Sequence, residues 1–168
     1  MIMATGFQQT INRNVPLAVE GDFAAAGPYH AVLAGNQQLK ASATGVTIAR
    51  FAWANIANGQ VTNVKPAVLT NQVLGFVRRG ENTALITGYR AETSMLIPAG
   101  FGVTLYDRGD FWVKTTTAAT VGQKVFASNT TGEIATGAAG ATVAGFTETE
   151  FKVASIGDVG ELIKITAF

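Results

Sequence analysis

The sequence has 168 residues, no cysteine and a formal net charge of +1, and charged residues make up 14% of it. The absence of cysteine excludes disulfides and thiolate metal sites. The near-zero net charge argues against nucleic acid as a main partner, since phosphate binding needs clustered Lys and Arg. No apolar run approaches the roughly 18 residues of a spanning helix, so we expect no membrane partner.

The low content of charged residues is the most informative property of the composition. Ordinary soluble domains carry about 25% charged residues, whereas interface cores are depleted of Lys, Glu and Asp because desolvating an unpaired charge is costly. The composition therefore fits a chain that hides much of its surface against partners. It fits an ordinary domain of low charge equally well.

Residues 1–30 are predicted to form an extended arm. The segment is rich in amide side chains, and neither a 3.6-residue nor a two-residue apolar period persists along it. Gly27 and Pro28 would break a helix in the stretch that follows. No basic region followed by an apolar stretch opens the sequence, so no secretory signal is expected. The apolar side chains of the arm are candidates for contact with a partner: Phe7, Ile11, Val15, Leu17 and Phe23.

Residues 45–127 are predicted to form the strands of a compact antiparallel β-barrel or sandwich, because turn signals recur every 8–12 residues. The run from Val46 to Trp53 consists of β-forming residues. A slip in its alternation near Arg50 indicates a bulge or burial on both faces. The dipeptide Asn58-Gly59 predicts a two-residue hairpin turn before the next strand.

The second half of this zone predicts two more pairs of strands. Val73–Arg79 and Ala84–Arg90 flank a polar turn. Phe101–Tyr106 alternates as a half-buried strand, Asp107–Asp110 is predicted to be a turn, and Phe111–Lys114 continues as a strand.

Phe111 and Trp112 are adjacent rings in a predicted strand. Side chains at neighbouring strand positions point to opposite faces. One ring therefore fills the core, and the other faces an interface, another sheet or solvent. Trp112 is our interface candidate.

The last part of the chain predicts further strands around a zone of small residues. Residues 115–144 consist largely of Ala, Thr and Gly, which predicts either strands with small side chains or surface loops. Phe151–Ile156 and Leu162–Phe168 read as strands joined by a turn. We therefore predict a mainly β protein with an arm over residues 1–30 and a β-rich body over 31–168. Residues 115–144 are either part of that body or a sub-lobe.

The residues that carry chemistry are too few and too scattered for a catalytic, cofactor-binding or metal-binding site. His30 is the only histidine, and the 11 carboxylates are dispersed, so no ligand cluster or acid–base pair is predicted. No phosphate-binding glycine motif stands between a strand and a helix. Arg108-Gly109-Asp110 spells an adhesion tripeptide, which we interpret as a charged turn between two strands.

Six segments stand out together by their order and spacing: Ala18–Ala24 (AVEGDFA), Ile48–Trp53 (IARFAW), Leu74–Arg79 (LGFVRR), Ile97–Phe101 (IPAGF), Gly109–Lys114 (GDFWVK) and Ala119–Val125 (ATVGQKV). Taken together, they resemble the structural cement protein family of tailed bacteriophages, also called capsid decoration proteins. The resemblance implies a protein on the outer surface of the expanded capsid that bridges neighbouring major capsid protein subunits. It implies a non-enzymatic protein, made in the host bacterial cytoplasm, whose partners are the major capsid protein and further copies of itself as a dimer or trimer.

Two other functions are compatible with the residues. Another virion protein, of the tail tube or associated with fibres, would have the same β-rich, weakly charged composition. A carbohydrate-binding β-barrel would use the aromatic side chains as a ligand platform, although packing in a core is the more common use of such residues.

Overall fold

The computed structural model describes residues 18–80 and 94–168. Within these ranges the chain is all β, with twelve strands and no helix, so the predicted mainly β, sandwich-like fold is confirmed. The candidates Phe7, Ile11, Val15 and Leu17 and the predicted strand Ala84–Arg90 lie outside the described residues. In chain order the strands are β1 (His30–Ala31), β2 (Lys40–Ala41), β3 (Val46–Thr47), β4 (Phe51–Asn55), β5 (Gln60–Thr62), β6 (Gln72–Val77), β7 (Leu96–Ile97), β8 (Leu105–Lys114), β9 (Lys124–Ser128), β10 (Ile134–Gly137), β11 (Phe146–Val153) and β12 (Leu162–Ala167).

Ten of the twelve described strands form one large sheet. Nine lie side by side in the order β10, β9, β11, β12, β8, β6, β4, β5 and β2, and β1 pairs with β8. Only the β2–β5 pair in this sheet is parallel. β3 and β7 form a separate antiparallel pair.

Strand β4 lies between two hydrophobic cores. Phe51 and Trp53 belong to one core, and Ala52 and Ala54 belong to the other. β6 and β8 also supply side chains to both cores. The predicted burial on both faces near Arg50 is confirmed for β4, and the irregularity precedes the strand, where Ala49 has a φ of 60°.

Strand β8 runs without interruption from Leu105 to Lys114, so the turn predicted at Asp107–Asp110 is wrong. β12 pairs with its second half from Gly109 onward, and β1 pairs with its first half. Gly109, at a φ of 134°, lies at this change of partners and gives the strand a conformation that other residues rarely adopt. Long-range pairing therefore overrides the local turn signal. The strand predicted over Phe101–Tyr106 likewise begins only at Leu105, and Phe101 is exposed.

The hairpin predicted around Asn58-Gly59 is present between β4 and β5. Its connection spans the four residues 56–59, not the two predicted. The Asn55 side-chain Oδ1 accepts a hydrogen bond from the Ala57 N–H at 2.9 Å, and the Gly59 N–H donates to the Asn55 carbonyl at 2.8 Å. The Asn55 side chain thus organises a longer turn than the dipeptide signal predicts.

The turn after β9 contacts β4 at Gly132. The Phe51 N–H donates to the Gly132 carbonyl at 2.9 Å. Gly132 has a φ of 69°, and a Cβ built on it would lie 2.0 Å from the Phe51 carbonyl oxygen. Only glycine fits this approach of two backbones.

Residues 115–144 contain β9, β10 and connecting segments. Val125, Phe126 and Ile134 are buried, and Val121 is exposed. A run of threonines covers the outer edge of β10, where the Thr116 N–H donates to the Ile134 carbonyl at 2.8 Å. Two divisions of the chain stay predictions. One is an arm over 1–30 with a body over 31–168, and the other is a sub-lobe over 115–144.

Candidate functional site

Phe23 packs against β8 of its own chain. It forms an isolated antiparallel bridge with Phe111, and the two rings stack with their centroids 5.3 Å apart. Tyr29 and Tyr106 contact the same ring at centroid distances of 5.0 and 5.8 Å. The Arg78 guanidinium lies 4.2 Å from its centroid, within the range of a cation–π contact. A role of Phe23 in an interface between subunits stays a prediction.

Trp112 and Phe111 point to opposite faces of β8, as predicted. Phe111 is fully buried in a core, whereas Trp112 is half-buried outside both cores. The Lys164 ammonium lies 5.0 Å from the Trp112 ring centroid, on the neighbouring strand β12. Trp112 therefore presents an aromatic surface beside a cation, and its role in an interface stays a prediction.

The connection between β5 and β6 presents aliphatic side chains to solvent. We call residues 64–69 the apolar loop: Val64, Val68 and Leu69 are exposed, with Val68 at 68%. The loop is fixed at its base, since the Lys65 N–H donates to the Asn129 carbonyl at 2.8 Å and the Lys65 ammonium donates to Thr147 Oγ1 at 2.9 Å. Its one cation is thus bound within the chain, and its tip is uncharged.

Asn63 anchors the apolar loop from inside the protein. Its Nδ2 donates to the carbonyl oxygens of Phe51 and Thr47, at 2.9 and 3.2 Å, and its Oδ1 accepts from the Thr47 N–H at 2.6 Å. A buried amide with three such bonds holds the preceding backbone in one conformation. The exposed aliphatic tip is therefore preorganised.

A second exposed aliphatic surface lies between β11 and β12. We call it the apolar turn: Ile156 is 77% exposed and Val159 is 67% exposed. An isolated bridge between Ala119 and Gly157 brings the exposed Val121 alongside. Exposed aliphatic clusters of this kind mark binding surfaces more often than single exposed residues do.

The apolar loop and the apolar turn lie at opposite ends of β11. Lys65 of the loop bonds to Thr147, the second residue of β11, and Ile156 of the apolar turn lies three residues after Val153, where the strand ends. Eight extended residues span about 25 Å. The protein thus carries two separated apolar surfaces.

A cleft of about 440 Å³ opens beside the apolar turn, and we call it the charged cleft. Its lining includes Glu20, Arg50, Lys114, Glu133 and Val159. The Arg50 guanidinium pairs with the Glu133 carboxylate at 2.9 Å. Among the residues that the structure describes, neither Glu20 nor Lys114 has a hydrogen-bond or ion-pair partner for its side chain.

The Glu20 carboxyl, which lines the charged cleft, has a perturbed titration. Burial raises the pKa of its carboxyl above the ordinary value of 4.5, and the nearby Glu133 adds to the rise. Lys114 and Arg50 oppose the rise but do not cancel it. The ionised carboxylate is therefore poorly solvated and would be stabilised by a further cation.

The described residues contain no cluster of candidate metal ligands. In residues 18–80 and 94–168, no three His, Asp or Glu side chains come together as metal ligands. His30 lies at the surface, where its Nδ1 is 2.6 Å from Asp107 Oδ1. No helix in this part of the chain could span a membrane.

Sequence reasoning missed the charged cleft and both apolar surfaces. Glu20, Arg50, Lys114 and Glu133 are far apart in the sequence, and only the pairing of strands brings them together. The available signal for the loop was its composition: four of the five residues at positions 64 and 66–69 are Val, Leu or Pro. Surface loops usually carry polar residues.

A comparison with solved structures and one with protein families each find a protein of a phage capsid. The fold is similar to that of a chain in the solved structure "The capsid of Myoviridae Phage XM1", with a TM-score of 0.57 and 15% identity over 96% of this chain and 97% of that chain. No curated protein sequence matches. The predicted resemblance to a phage capsid-associated family is confirmed. A family model described as XM1 gp53 minor capsid protein matches residues 7–167, and the chain therefore belongs to this family of structural proteins of the phage virion.

Proposed function

We propose that this chain is a cement protein that binds the outer surface of the expanded capsid and bridges neighbouring subunits of the major capsid protein. The observation that carries the proposal is the pair of exposed apolar surfaces at opposite ends of β11. A protein that bridges two subunits needs two separate binding surfaces held at a fixed distance. The apolar loop, which is bonded to Thr147 of β11, and the apolar turn, which follows β11, fit this requirement.

The energetics of bridging favour two modest surfaces over one strong surface. When one surface binds, the second is held close to its own site, so its binding becomes intramolecular. Such linkage raises the overall affinity by roughly 10²- to 10⁴-fold without any new contact. The same linkage opposes separation of the two capsid subunits, which would stabilise the shell.

Co-sedimentation with expanded empty heads tests this function. The double variants Val68→Ser/Leu69→Ser and Val121→Ser/Ile156→Ser each remove two exposed aliphatic side chains from one apolar surface. We expect each to weaken binding at least tenfold, since an apolar side chain of this size contributes about 1.5–3 kcal/mol when buried. The control is Leu33→Ser, which removes an exposed aliphatic side chain outside both surfaces.

Bridging predicts a result that simple binding does not. At protein concentrations that restore full occupancy, heads carrying either double variant should break at lower temperature than heads carrying the unchanged protein. Unchanged binding by both double variants would contradict the proposal. Preferential sedimentation with tails over heads would favour a tail or fibre component.

The N-terminal arm is proposed to form part of the grip, through Phe7, Ile11, Val15, Leu17 and Phe23. If the arm lies along a neighbouring subunit, main-chain hydrogen bonds would supply affinity and alternate side chains would supply register. Deleting residues 1–17 should lower the occupancy of expanded heads. Undiminished occupancy would refute the role of the arm.

A further inference from the structure

One face of the large sheet carries acids on one side of Trp112 and lysines on the other. We call it the mixed-charge face, and it is formed by residues 21–24, the second half of β8, β12 and the end of β11. Along each strand its residues alternate with buried ones, as Trp112 does with Phe111 and Val113. Its charged and aromatic side chains therefore point away from the core: Asp22, Asp110, Trp112, Lys152 and Lys164.

In one row across this face, Trp112 lies between an acid and a base. Its N–H donates to the Asp22 carbonyl at 2.9 Å, which places Asp22 opposite it on one side. On the other side its partner in the register is Lys164, whose ammonium lies 5.0 Å from the Trp112 ring centroid. Residues that lie opposite each other in an antiparallel pair share a face. Asp22, Trp112 and Lys164 therefore follow one another across the sheet.

The next row repeats this polarity. Thr166 of β12 lies opposite Asp110 of β8 on one side and opposite Lys152 of β11 on the other. Neighbouring strands lie about 4.8 Å apart, so the three steps from residues 21–24 to β11 cover about 14 Å. The acids thus lie along one side of the face and the lysines along the other.

The four charges of these two rows are not neutralised within the chain. None of them has an ion-pair partner among the residues that the structure describes. Two neighbouring pairs of opposite charge attract each other and cancel: Lys124 with Glu150, and Lys114 with Glu20. Three arginines border the face without lying in its two rows: Arg78, Arg79 and Arg108. The separation of acids from lysines is therefore a property of the face itself.

We propose that the mixed-charge face binds the same face of a second copy of this chain, across a two-fold axis that runs parallel to the strands between β8 and β12. Rotation about this axis exchanges the two sides of the face, so the acids of each copy lie over the lysines of the other. Trp112 of one copy then lies over β12 of the other. A partner of a single charge would be repelled by half of the face, whereas a second copy is complementary to all of it.

The geometry of the sheet suits such a contact. Sheets that pack face to face keep their strand directions within about 30° of each other, as an axis parallel to the strands requires. Four strands and the six residues of β12 cover about 19 Å by about 20 Å, or roughly 400 Å² for each copy. This area is at the low end of specific interfaces. We therefore expect a weak dimer in solution. The contact leaves the apolar loop and the apolar turn free, so it goes beyond the proposed function and does not depend on it.

Charge reversal on each side of the face tests the contact. Asp22→Lys and Lys152→Glu are studied separately and as an equimolar mixture, by sedimentation velocity from about 10 μM to about 1 mM protein. The unchanged protein should dimerise, and each variant alone should dimerise at least tenfold more weakly, because like charges then face each other. The mixture should regain the dimer, since in a mixed dimer both facing pairs are again of opposite charge.

The matched controls reverse exposed charges outside the face. Asp158→Lys lies in the turn after β11, and Lys40→Glu lies in β2. They change the net charge by the same amounts and should leave the dimer unchanged. Urea melts show whether each variant folds. If a reversal prevents folding, Asp22→Asn and Lys152→Gln replace it, and combined in one chain they should weaken the dimer by less than the product of their separate factors.

The outcomes separate this proposal from the proposed function. An unchanged protein that stays monomeric up to about 1 mM, reversals that act no more strongly than the controls, or a mixture that does not regain the dimer would each overturn the two-fold contact. Those results would leave binding to expanded heads untouched. Conversely, a protein that dimerises as expected but does not sediment with heads would sustain the contact and refute the cement function.

Discussion

Substitution of Gly132 by alanine tests the contact between the turn after β9 and strand β4. The added Cβ would lie 2.0 Å from the Phe51 carbonyl oxygen, a distance at which one of the two backbones must move. Movement would weaken the hydrogen bond from the Phe51 N–H to the Gly132 carbonyl. It would also disturb the bond that the Phe51 carbonyl accepts from Asn63.

The expected loss of stability follows from these contacts. Alanine at a φ near +69° costs about 1–2 kcal/mol, and a lost backbone hydrogen bond costs about 0.5–1.5 kcal/mol. We expect Gly132→Ala to lower the free energy of unfolding by about 1.5–3.5 kcal/mol. At this chain length, that corresponds to a fall in Tm of roughly 3–14 °C.

The assay is urea unfolding followed by tryptophan fluorescence, with Gly140→Ala as the matched control. Gly140 has a φ of 72°, but a Cβ built on it meets nothing within 4 Å. The control therefore isolates the conformational cost of about 1–2 kcal/mol from the steric one. Equal losses in the two variants, within about 0.5 kcal/mol, would refute the steric argument.

Three further predictions concern the side chains of Asn63, Trp112 and Glu20. Asn63→Ala should lower the free energy of unfolding by about 1–3 kcal/mol in urea melts, because the buried Phe51 carbonyl loses its donor; a change below about 0.5 kcal/mol would contradict this. Trp112→Ala should weaken binding to expanded heads while lowering Tm less than Phe111→Ala, which removes a buried ring and costs about 3–5 kcal/mol; a larger fall in Tm for Trp112→Ala would show that its ring is structural. Because the pKa of Glu20 is raised in the folded protein, its protonated form contributes stability that is fully present below pH 4.5 and is lost as the pH rises through the raised value. Glu20→Gln should therefore be more stable than the unchanged protein at pH 7 and show no such gain at pH 3.5, measured by urea melts at both pH values.

Local patterns predicted those parts of the fold that depend on neighbouring residues. Phe111 and Trp112 are adjacent in a strand, so their rings were predicted to point to opposite faces of the sheet. In the structure Phe111 is buried in a core and Trp112 lies outside both cores. The turn predicted within Asp107–Asp110 was wrong because β1 and β12 pair with that segment from distant parts of the chain. No local signal reveals such partners.

The candidate surfaces were less predictable for the same reason. The charged cleft joins residues 20, 50, 114 and 133, whose proximity depends on the order of the strands. The apolar loop could be predicted as a loop, but its exposure depends on Lys65 binding Thr147 across 82 positions of sequence. The family resemblance supplied the biological context that these patterns lacked.

The position of β11 between the two apolar surfaces determines how the protein would respond to force. If the two surfaces hold different subunits, tension between those subunits runs along the axis of β11. The hydrogen bonds that join β11 to β9 lie across that axis, so they are loaded in shear. Bonds loaded in shear share the load and yield together, whereas bonds pulled open from one end yield one at a time. A swelling shell would therefore load these hydrogen bonds together and not one after another.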